Sequence, residues 1–208
     1  MRHYLNTDLK GKKDIFGLQK YSVYVMFTVN RQTFKIKSQI LRRMFSAEEF
    51  SQLYSGENAF INKDREIIRY CIEHSMQNQI LNIGHFKSIY AKCCTSITTW
   101  LDDSIQKRKT SSMDDFFYGT GLPDNNAELR ALTSIERKYA ISADVVRSYL
   151  LRFTNYMANE ETFDKYTLVY EWLNNDLRNK FQLFLNKQRI PPEHSNIVPF
   201  IDEQINLM

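Results

Sequence analysis

The chain has 208 residues, 43% of them hydrophobic, which is enough to bury a core in one domain or two small ones. Its 6 glycines and 4 prolines exclude collagen-like and disordered classes and argue against a sandwich or barrel with many tight turns. The formal net charge of +4 hides an asymmetry, because residues 1–45 hold ten basic and two acidic residues while the rest of the chain holds 18 and 22.

The start of the chain predicts an extended arm and then a strand. Residues 1–20 are rich in lysine and show no regular alternation of apolar residues. Residues 21–30 alternate apolar and polar side chains, with β-branched and aromatic types over-represented, which is typical of a strand with one buried face. The apolar side of this predicted strand holds Tyr21, Val23, Val25, Phe27 and Val29.

A polar turn and a second alternating segment, residues 33–40, complete a predicted β-hairpin. Asn30 tolerates the positive φ that tight turns need. Lys35 and Lys37 fall on one face of the second strand, and its apolar residues fall on the other. Because an isolated hairpin is only marginally stable, we expect its apolar face to pack on helices or on a third strand, for which residues 14–19 are a candidate.

Three helices are predicted in the middle of the chain. Ser46 and Glu49 have the spacing of a capping box, which opens a first, short helix. Asn62 is expected to cap the second helix, over residues 63–80. Apolar residues at helical spacing predict the third helix, over residues 85–107.

Residues 107–126 form the one long irregular stretch of the sequence. We expect this stretch to join an N-terminal domain, residues 1–106, to a C-terminal domain, residues 127–208. Three consecutive aromatic residues favour a docking role for it over that of a pure spacer: Phe116, Phe117 and Tyr118.

The C-terminal part predicts helices alone. Residues 126–139 are expected to form one helix, Ser142 to cap a second over residues 143–158, and a long third helix to follow Asn159 as far as Lys187. The last two helices make a predicted helical hairpin. The fold class is therefore predicted as mostly α with a small N-terminal β-hairpin or sheet. The tail beyond it is expected to dock on a partner through Ile197, Val198, Phe200 and Ile201.

No pattern in the sequence indicates a reaction, a metal or a cofactor. None of the four histidines stands in a zinc-binding spacing, and P-loop, Rossmann and nucleophile-elbow patterns are missing. Carboxylate pairs such as Asp102 and Asp103 are adjacent in sequence, so their side chains diverge on a helix and do not form a shared centre. We therefore expect no catalytic residues and no enzyme activity.

The cysteines and the apolar runs indicate a compartment. The three cysteines, an odd number without a C-x-x-C pair, predict reduced and mostly buried thiols: Cys71, Cys93 and Cys94. The sequence has no signal-peptide pattern and no apolar run of about 20 residues. We expect a reducing, cytoplasmic location, or a virion if the chain is phage-encoded, with no membrane partner.

The basic head is the candidate contact site. Cations on a rigid face can meet phosphates and release counterions, as Lys35 and Lys37 would if they share a strand face. A nucleic acid, an acidic protein surface and a solvated surface without a partner all remain open at this point. The candidate contact residues are Lys10, Lys12, Lys13, Lys20, Arg31, Lys35, Lys37, Arg42 and Arg43.

The order of features over residues 21–90 carries a resemblance to a known family. A basic lead-in, an apolar strand, a polar turn and a second strand precede a helix that opens as Ser-x-Glu-Glu-Phe, an Ile- and Arg-rich helix, and one entered by Phe-Lys-Ser-Ile-Tyr. This region resembles the N-terminal arm-binding region of tyrosine recombinases (integrases) of mobile elements. The resemblance implies a small sheet that contacts DNA.

The rest of the chain departs from that family. The recombinase catalytic domain requires a His-x-x-Arg motif, and none of the four histidines is followed by an arginine three residues later. The chain is also too short to hold that domain, so we expect no strand-exchange chemistry.

Together these patterns predict a non-catalytic structural or adaptor subunit of a larger, oligomeric assembly. A bacteriophage connector or neck-ring component close to packaged DNA is a protein of this kind. The alternative is a DNA-binding accessory module of a mobile element, without recombinase activity. The expected partners are other protein subunits and DNA.

Overall fold

In a computed structural model the chain folds as two compact units, Met1–Cys94 and Thr95–Met208. The structure describes residues 1–9, 11–54, 58–103, 134–159, 168–174 and 176–206. It is an α+β fold, mostly helical, with a small antiparallel sheet in the N-terminal unit, so the predicted fold class is confirmed. Among the described residues, no helix combines the length and the apolar character needed to cross a membrane.

The N-terminal unit is built around one long strand, β3 (Gln19–Val29). β1 (Arg2–Leu5) and β4 (Gln32–Lys37) both pair antiparallel with the middle of β3, so they lie on its opposite edges. β2 (Lys12–Lys13) and β5 (Met44–Phe45) pair with the first residues of β3. All four neighbours therefore share β3 as their common partner.

The predicted β-hairpin is confirmed, but the predicted arm is not. Asn30 and Arg31, at φ 48° and 67°, form the two-residue turn between β3 and β4, with the geometry that suits the twist of a hairpin. Residues 1–20, expected to be an extended arm, instead supply β1 and β2. The third strand thus comes from earlier in the chain than residues 14–19.

Helices cover the apolar side of this sheet. They are α1 (Ala47–Tyr54), α2 (Ala59–Ser75) and α3 (Ile83–Cys93). The ring of Phe86 on α3 lies 5.3 Å from that of Phe27 on β3, measured between centroids. Ile61 on α2 joins β3 and β5 side chains in a small buried cluster. The sheet therefore has one face against helices, as an amphipathic hairpin requires.

The first two helices begin at different kinds of cap. The Ser46–Glu49 capping box is present: the Glu49 N–H donates to Ser46 Oγ at 3.2 Å, and the Ser46 N–H donates to Glu49 Oε2 at 2.8 Å. The second helix is capped by Asn58, whose Oδ1 accepts the Phe60 N–H at 3.0 Å, so the prediction of Asn62 as the cap is wrong.

The second predicted helix is also shorter than expected. It ends at Ser75, and the small hairpin of β6 (Met76–Gln77) and β7 (Ile80–Leu81) follows where residues 63–80 were expected to be helical. Asn78 and Gln79 both adopt positive φ in its turn. Asparagine tolerates this conformation, so the turn signal was present but the apolar helical spacing concealed it.

The third predicted helix is interrupted. α3 ends at Cys93, and the helical residues 97–103 form α4. Between them the Thr95 carbonyl accepts the Val169 N–H at 2.9 Å, and Ser96 forms a β-bridge with Leu168. This extended segment is held by residues about 70 positions later in the chain. The spacing of nearby apolar residues therefore could not predict the break.

The C-terminal unit packs helices around an apolar core. Its described residues form the helices α4, α5 (helical residues 134–139), α6 (Ala143–Asn159), α7 (Val169–Leu173), α8 (Asp176–Lys187) and α9 (Ile197–Asn206), with a 3₁₀ turn at Pro192–His194. Phe153 on α6 lies 5.1 Å from Phe181 and 5.4 Å from Phe184 on α8, centroid to centroid. Aromatic pairs at these separations stabilise the core beyond the area that they bury.

Two of the C-terminal helix predictions have opposite outcomes. The Ser142 cap is confirmed, since its Oγ accepts the Val145 N–H at 3.4 Å. The single long helix ending at Lys187 is wrong, because α7 stops at Leu173 and α8 begins at Asp176. The predicted linker, residues 107–126, with Phe116, Phe117 and Tyr118, lies outside the described residues, whereas the two compact units divide after Cys94.

Candidate nucleic-acid interface

The side of the sheet away from the helices carries the candidate interface. Val23, Val25 and Phe27 are at most 3% exposed, so the residues between them on β3 point to the opposite side. We define the outer face as Arg2, Tyr4, Tyr24, Met26, Thr28, Thr33, Lys35 and Lys37.

Strand register sets these side chains in rows. Arg2 and Lys35 flank Met26 from the two edges of β3, and Tyr4 and Lys37 flank Tyr24 in the next row. Facing residues on neighbouring strands point the same way. Two steps along β4 separate Lys35 from Lys37 by about 7 Å, and two strand spacings separate Arg2 from Lys35 by about 10 Å. The register therefore gathers three cations within one small area.

These cations are not neutralised by the fold. Arg2, Lys35 and Lys37 are exposed, and within the described residues no ion pair joins any of them to a carboxylate. The neighbouring Tyr4 and Tyr24 are half-buried, with ring centroids 6.2 Å apart. Burial, with smaller effects of Tyr24 and Asp8, raises the pKa of Tyr4 above its ordinary value. The face is therefore cationic and partly aromatic.

Lys20 does not belong to this interface. Its ammonium lies 3.1 Å from Glu49 Oε1 and 3.2 Å from Asp14 Oδ2. Hydrogen bonds to Glu49 and then to Asp14 raise the pKa of Lys20. Two carboxylates thus neutralise this ammonium within the fold, and a contact of Lys20 with an external partner stays a prediction.

The two arginines after β4 also make contacts within the N-terminal unit. Arg42 donates from Nε to the Gln39 carbonyl at 2.8 Å and from a terminal nitrogen to the Cys94 carbonyl at 3.1 Å. The Arg43 guanidinium lies 4.4 Å from the centre of the Phe45 ring, within range of a cation–π interaction. Both are still partly open to solvent, but their orientations are set by these contacts.

The remaining predicted cations lie elsewhere in the sheet. Arg31 is exposed in the β3–β4 turn, while Lys12 and Lys13 are exposed on β2, beside the start of β3. Lys10 lies outside the described residues. Arg2 is the outer-face cation that the sequence analysis did not single out. It reaches this face through the pairing of β1 with β3, for which no signal was present in the sequence.

The predicted docking tail is not available to a partner. Ile197, Val198, Phe200 and Ile201 are at most 3% exposed and belong to the core of the C-terminal unit. The apolar spacing was recognised correctly, but it forms the buried face of α9. The prediction that these four residues contact another protein is therefore wrong.

A buried polar cluster fixes the sheet to its helices. Asp64 on α2, 0% exposed, accepts hydrogen bonds at 3.0 Å from His3 Nε2, at 2.6 Å from Ser38 Oγ and at 2.5 Å from the Tyr90 hydroxyl. The Tyr90 hydroxyl in turn accepts the Gln39 N–H at 3.0 Å. The cluster thereby joins β1, the segment after β4, α2 and α3.

This cluster lies away from solvent and positions the strands. Desolvation, and next the Asp64 charge, raise the pKa of Tyr90, which therefore stays protonated as a donor. His3 and Ser38 are each 1% exposed. By holding β1 and the end of β4, Asp64 helps to set Arg2 and Lys37 in register on the other side of the sheet. A lone aspartate on a predicted helix gave no sequence signal for this role.

The thiols are buried, as predicted. Cys71, Cys93 and Cys94 are at most 3% exposed and form no disulfide. Hydrogen bonding to Cys93 and then burial raise the pKa of Cys71, and burial raises that of Cys94. In the ranges that the structure describes, no three His, Cys, Asp or Glu side chains are arranged to hold a metal ion.

Comparison of the chain with protein-family models, with curated proteins and with solved structures finds no match. The resemblance of residues 21–90 to the recombinase arm-binding region therefore stays a prediction.

Proposed function

We propose that the chain is a non-catalytic DNA-binding protein that holds the phosphate backbone against its outer face. The observation that carries the proposal is the grouping of Arg2, Lys35 and Lys37 on a sheet, without an ion pair to a carboxylate among the described residues. Cations that meet phosphates release condensed counterions, and this release supplies most of the non-specific affinity for DNA.

The uncharged part of the outer face supports the same function. Tyr4 and Tyr24 present partly exposed rings between the cations, and Thr28 and Thr33 bring their hydroxyls within 3.2 Å of each other. Rings and hydroxyls contact sugars, bases and phosphate oxygens, whereas an acidic protein surface offers mainly carboxylates. This composition favours a nucleic acid over an acidic protein as the partner.

The proposal is compatible with two biological settings. A structural or adaptor subunit of a larger assembly, such as a virion connector near packaged DNA, needs a surface of this kind, and so does an accessory module of a mobile element. Burial of Ile197 and Phe200 removes the docking tail that favoured the subunit. DNA contact is the part of the proposal that both settings share.

The test measures binding of a labelled 20-base-pair duplex by fluorescence anisotropy between 0.05 and 0.3 M salt. The variant Lys35→Glu/Lys37→Glu removes two phosphate contacts. At 0.1 M salt we expect each lost contact to weaken binding about tenfold, and the slope of log K against log salt to fall by about 2 in total.

The matched control is Arg69→Glu/Lys87→Glu. Both residues are exposed in the same unit, on α2 and α3, the helices that pack against the other side of the sheet. The control changes the net charge by the same amount, so we expect a nearly unchanged slope. No binding by the unaltered chain at 0.05 M salt, or an equal loss in both variants, would overturn the proposal.

A further inference from the structure

The hairpin between β2 and β3 ends in exposed apolar side chains. Ile15 and Phe16 are 92% and 81% exposed, and Leu18 is 56% exposed. We call these three residues the apolar tip. Turns usually hold Gly, Asn, Asp, Pro or Ser, since large apolar side chains gain nothing there from the fold itself. The apolar tip therefore calls for a partner outside the unit.

The backbone of the apolar tip is held in one conformation. Asp14 Oδ1 accepts the N–H groups of Phe16 at 2.9 Å and Leu18 at 3.0 Å, and the Asp14 N–H donates to the Leu18 carbonyl at 3.0 Å. Gly17, at φ 79°, donates its N–H to the Asp14 carbonyl. This is a three-residue hairpin loop with glycine at the left-handed position. The exposed side chains are thus preorganised, which lowers the entropy lost on binding.

Cations stand at the base of the apolar tip. Lys12 and Lys13 on β2 are exposed and face Lys20 and Gln19 on β3. Asp14 and Glu49 form ion pairs with Lys20, and within the described residues no ion pair joins Lys12 or Lys13 to a carboxylate. An apolar projection above exposed cations complements stacked bases bordered by phosphates.

We propose that the apolar tip inserts between stacked base pairs of duplex DNA while Lys12 and Lys13 contact the adjoining phosphates. Apolar wedges of this kind partly unstack a base step and kink the duplex. Phe16 is the wedge, because its ring offers a face to a base, and Ile15 fills the space beside it. The proposal rests on the proposed function, since it assigns a second contact to the same DNA.

The layout of β3 favours DNA over a bilayer or a compact protein. Eight residue-to-residue steps lead from Leu18 to Met26 at the centre of the outer face, a distance of about 27 Å. DNA presents charge continuously along its axis, and this distance corresponds to about eight base pairs at about 3.4 Å each. One duplex is therefore long enough to reach from the apolar tip to the outer face. A bilayer that received the apolar tip would leave the cations of the outer face without an assigned partner.

The experiment uses the full chain and a duplex that carries 2-aminopurine, whose fluorescence rises when it is unstacked. We expect the unaltered chain to raise the fluorescence severalfold and Ile15→Ser/Phe16→Ser to abolish this rise. The same variant should bind about tenfold more weakly, since base–aromatic stacking is lost. Its salt slope should stay unchanged, because no phosphate contact is removed.

A control and a fold check accompany the variant. Ile80→Ser removes another exposed apolar residue of the same unit, 67% exposed on β7, and should leave the fluorescence rise intact. Circular dichroism should show an unchanged fold for both variants, since neither removes a buried side chain.

The outcomes separate the two proposals. Duplex binding without a rise in 2-aminopurine fluorescence overturns insertion and leaves the proposed function standing. Absence of any duplex binding overturns both. Binding of phosphatidylserine vesicles that depends on Ile15 and Phe16, together with duplex binding that does not, overturns insertion in favour of a lipid surface.

Discussion

The two units of this chain use their charged side chains in different ways. In the C-terminal unit, Arg178 makes two-pronged contact with Asp202, at 2.8 and 3.0 Å, and the same carboxylate accepts the Trp172 indole N–H at 2.9 Å. Lys138 and the Tyr139 hydroxyl both donate to Glu203. These two cations near the surface are paired and hold helices together.

In the N-terminal unit the arrangement is reversed. Its most buried carboxylate, Asp64, lies beneath the sheet and holds strands and helices together, while Arg2, Lys35 and Lys37 lie above it without carboxylate partners among the described residues. The contrast teaches that net charge is a poor guide to a binding surface. What matters is which charges the fold has left unpaired after its own contacts are made.

The largest expected effect tests the buried side of this contrast. Asp64→Ala removes the acceptor of three buried donors, so we expect the free energy of unfolding of the N-terminal unit to fall by about 3–5 kcal/mol. The measurement is urea unfolding followed by far-UV circular dichroism.

Tryptophan fluorescence locates that loss. Both tryptophans, Trp100 and Trp172, belong to the C-terminal unit, so their signal reports that unit alone. Glu66→Ala, on the exposed side of α2, is the matched control and should cost little. A change below about 1 kcal/mol for Asp64→Ala would contradict the structural role of the buried cluster.

The next effect concerns the paired charges of the C-terminal unit. Asp202→Asn keeps an acceptor for Trp172 but removes the charge that pairs with Arg178. We expect the free energy of unfolding to fall by about 1–2 kcal/mol, a value moderated by partial exposure of the pair. Urea unfolding followed by tryptophan fluorescence measures it. Glu193→Gln, on the exposed 3₁₀ turn, should leave the midpoint in place. Equal midpoints for both variants would show that pairing contributes nothing here.

Much of the fold follows from local sequence patterns. The β3–β4 hairpin, the Ser46 capping box and the Ser142 cap depend on neighbours within a few residues, and all three were predicted. The break at Thr95 and the split between α7 and α8 depend on partners distant in the sequence or on a turn inside an apolar pattern. Periodicity cannot distinguish such a pattern from one continuous helix.

The candidate site shows the same division. The shared face of Lys35 and Lys37 followed from alternation alone, because period 2 is a property of one strand. The ion pairs of Lys20 with Asp14 and Glu49 could not be predicted, because they depend on a turn and a helix that come together only in the folded unit. Arg2 lies on the outer face because β1 pairs with β3, and the four residues of β1 do not specify that pairing.

A smaller effect tests whether the projecting hairpin is rigid. At Gly17, φ is 79° and an added Cβ would meet no atom within 4 Å, so Gly17→Ala is penalised only by backbone strain, about 1–2 kcal/mol. We expect a small fall in the melting temperature. Gly84→Ala, in the first turn of α3, is the opposite control, since alanine favours a helix and finds room there. Equal effects of the two substitutions would show that the left-handed position is not needed.

The smallest effect is the response of the apolar tip to acid. Burial opposes ionisation of Asp14, but the N–H groups of Leu18 and Phe16 and the Lys20 ammonium outweigh it and hold its pKa below the usual value. Stabilisation by a carboxylate with a lowered pKa is fully present above the unfolded-state pKa, about 4, and disappears as the pH falls through the lower folded-state pKa. We expect the protection factors of the Phe16 and Leu18 amide protons, which are corrected for the pH dependence of intrinsic exchange, to decrease below that pH.

Glu203 in the C-terminal unit is the control for this response to acid. Hydrogen bonds from Lys138 and then Tyr139 lower the pKa of Glu203. The contact of Glu203 with these two residues therefore also weakens as the pH falls. Asp14→Asn should make the protection factor of the Phe16 amide insensitive to acid while leaving the Tyr139–Glu203 contact responsive. If both units lose protection together in that variant, acid acts on the whole chain and not through the carboxylate that shapes the apolar tip. If only the second contact responds, Asp14 fixes the hairpin that the N-terminal unit projects, whereas Glu203 joins helices within its own unit.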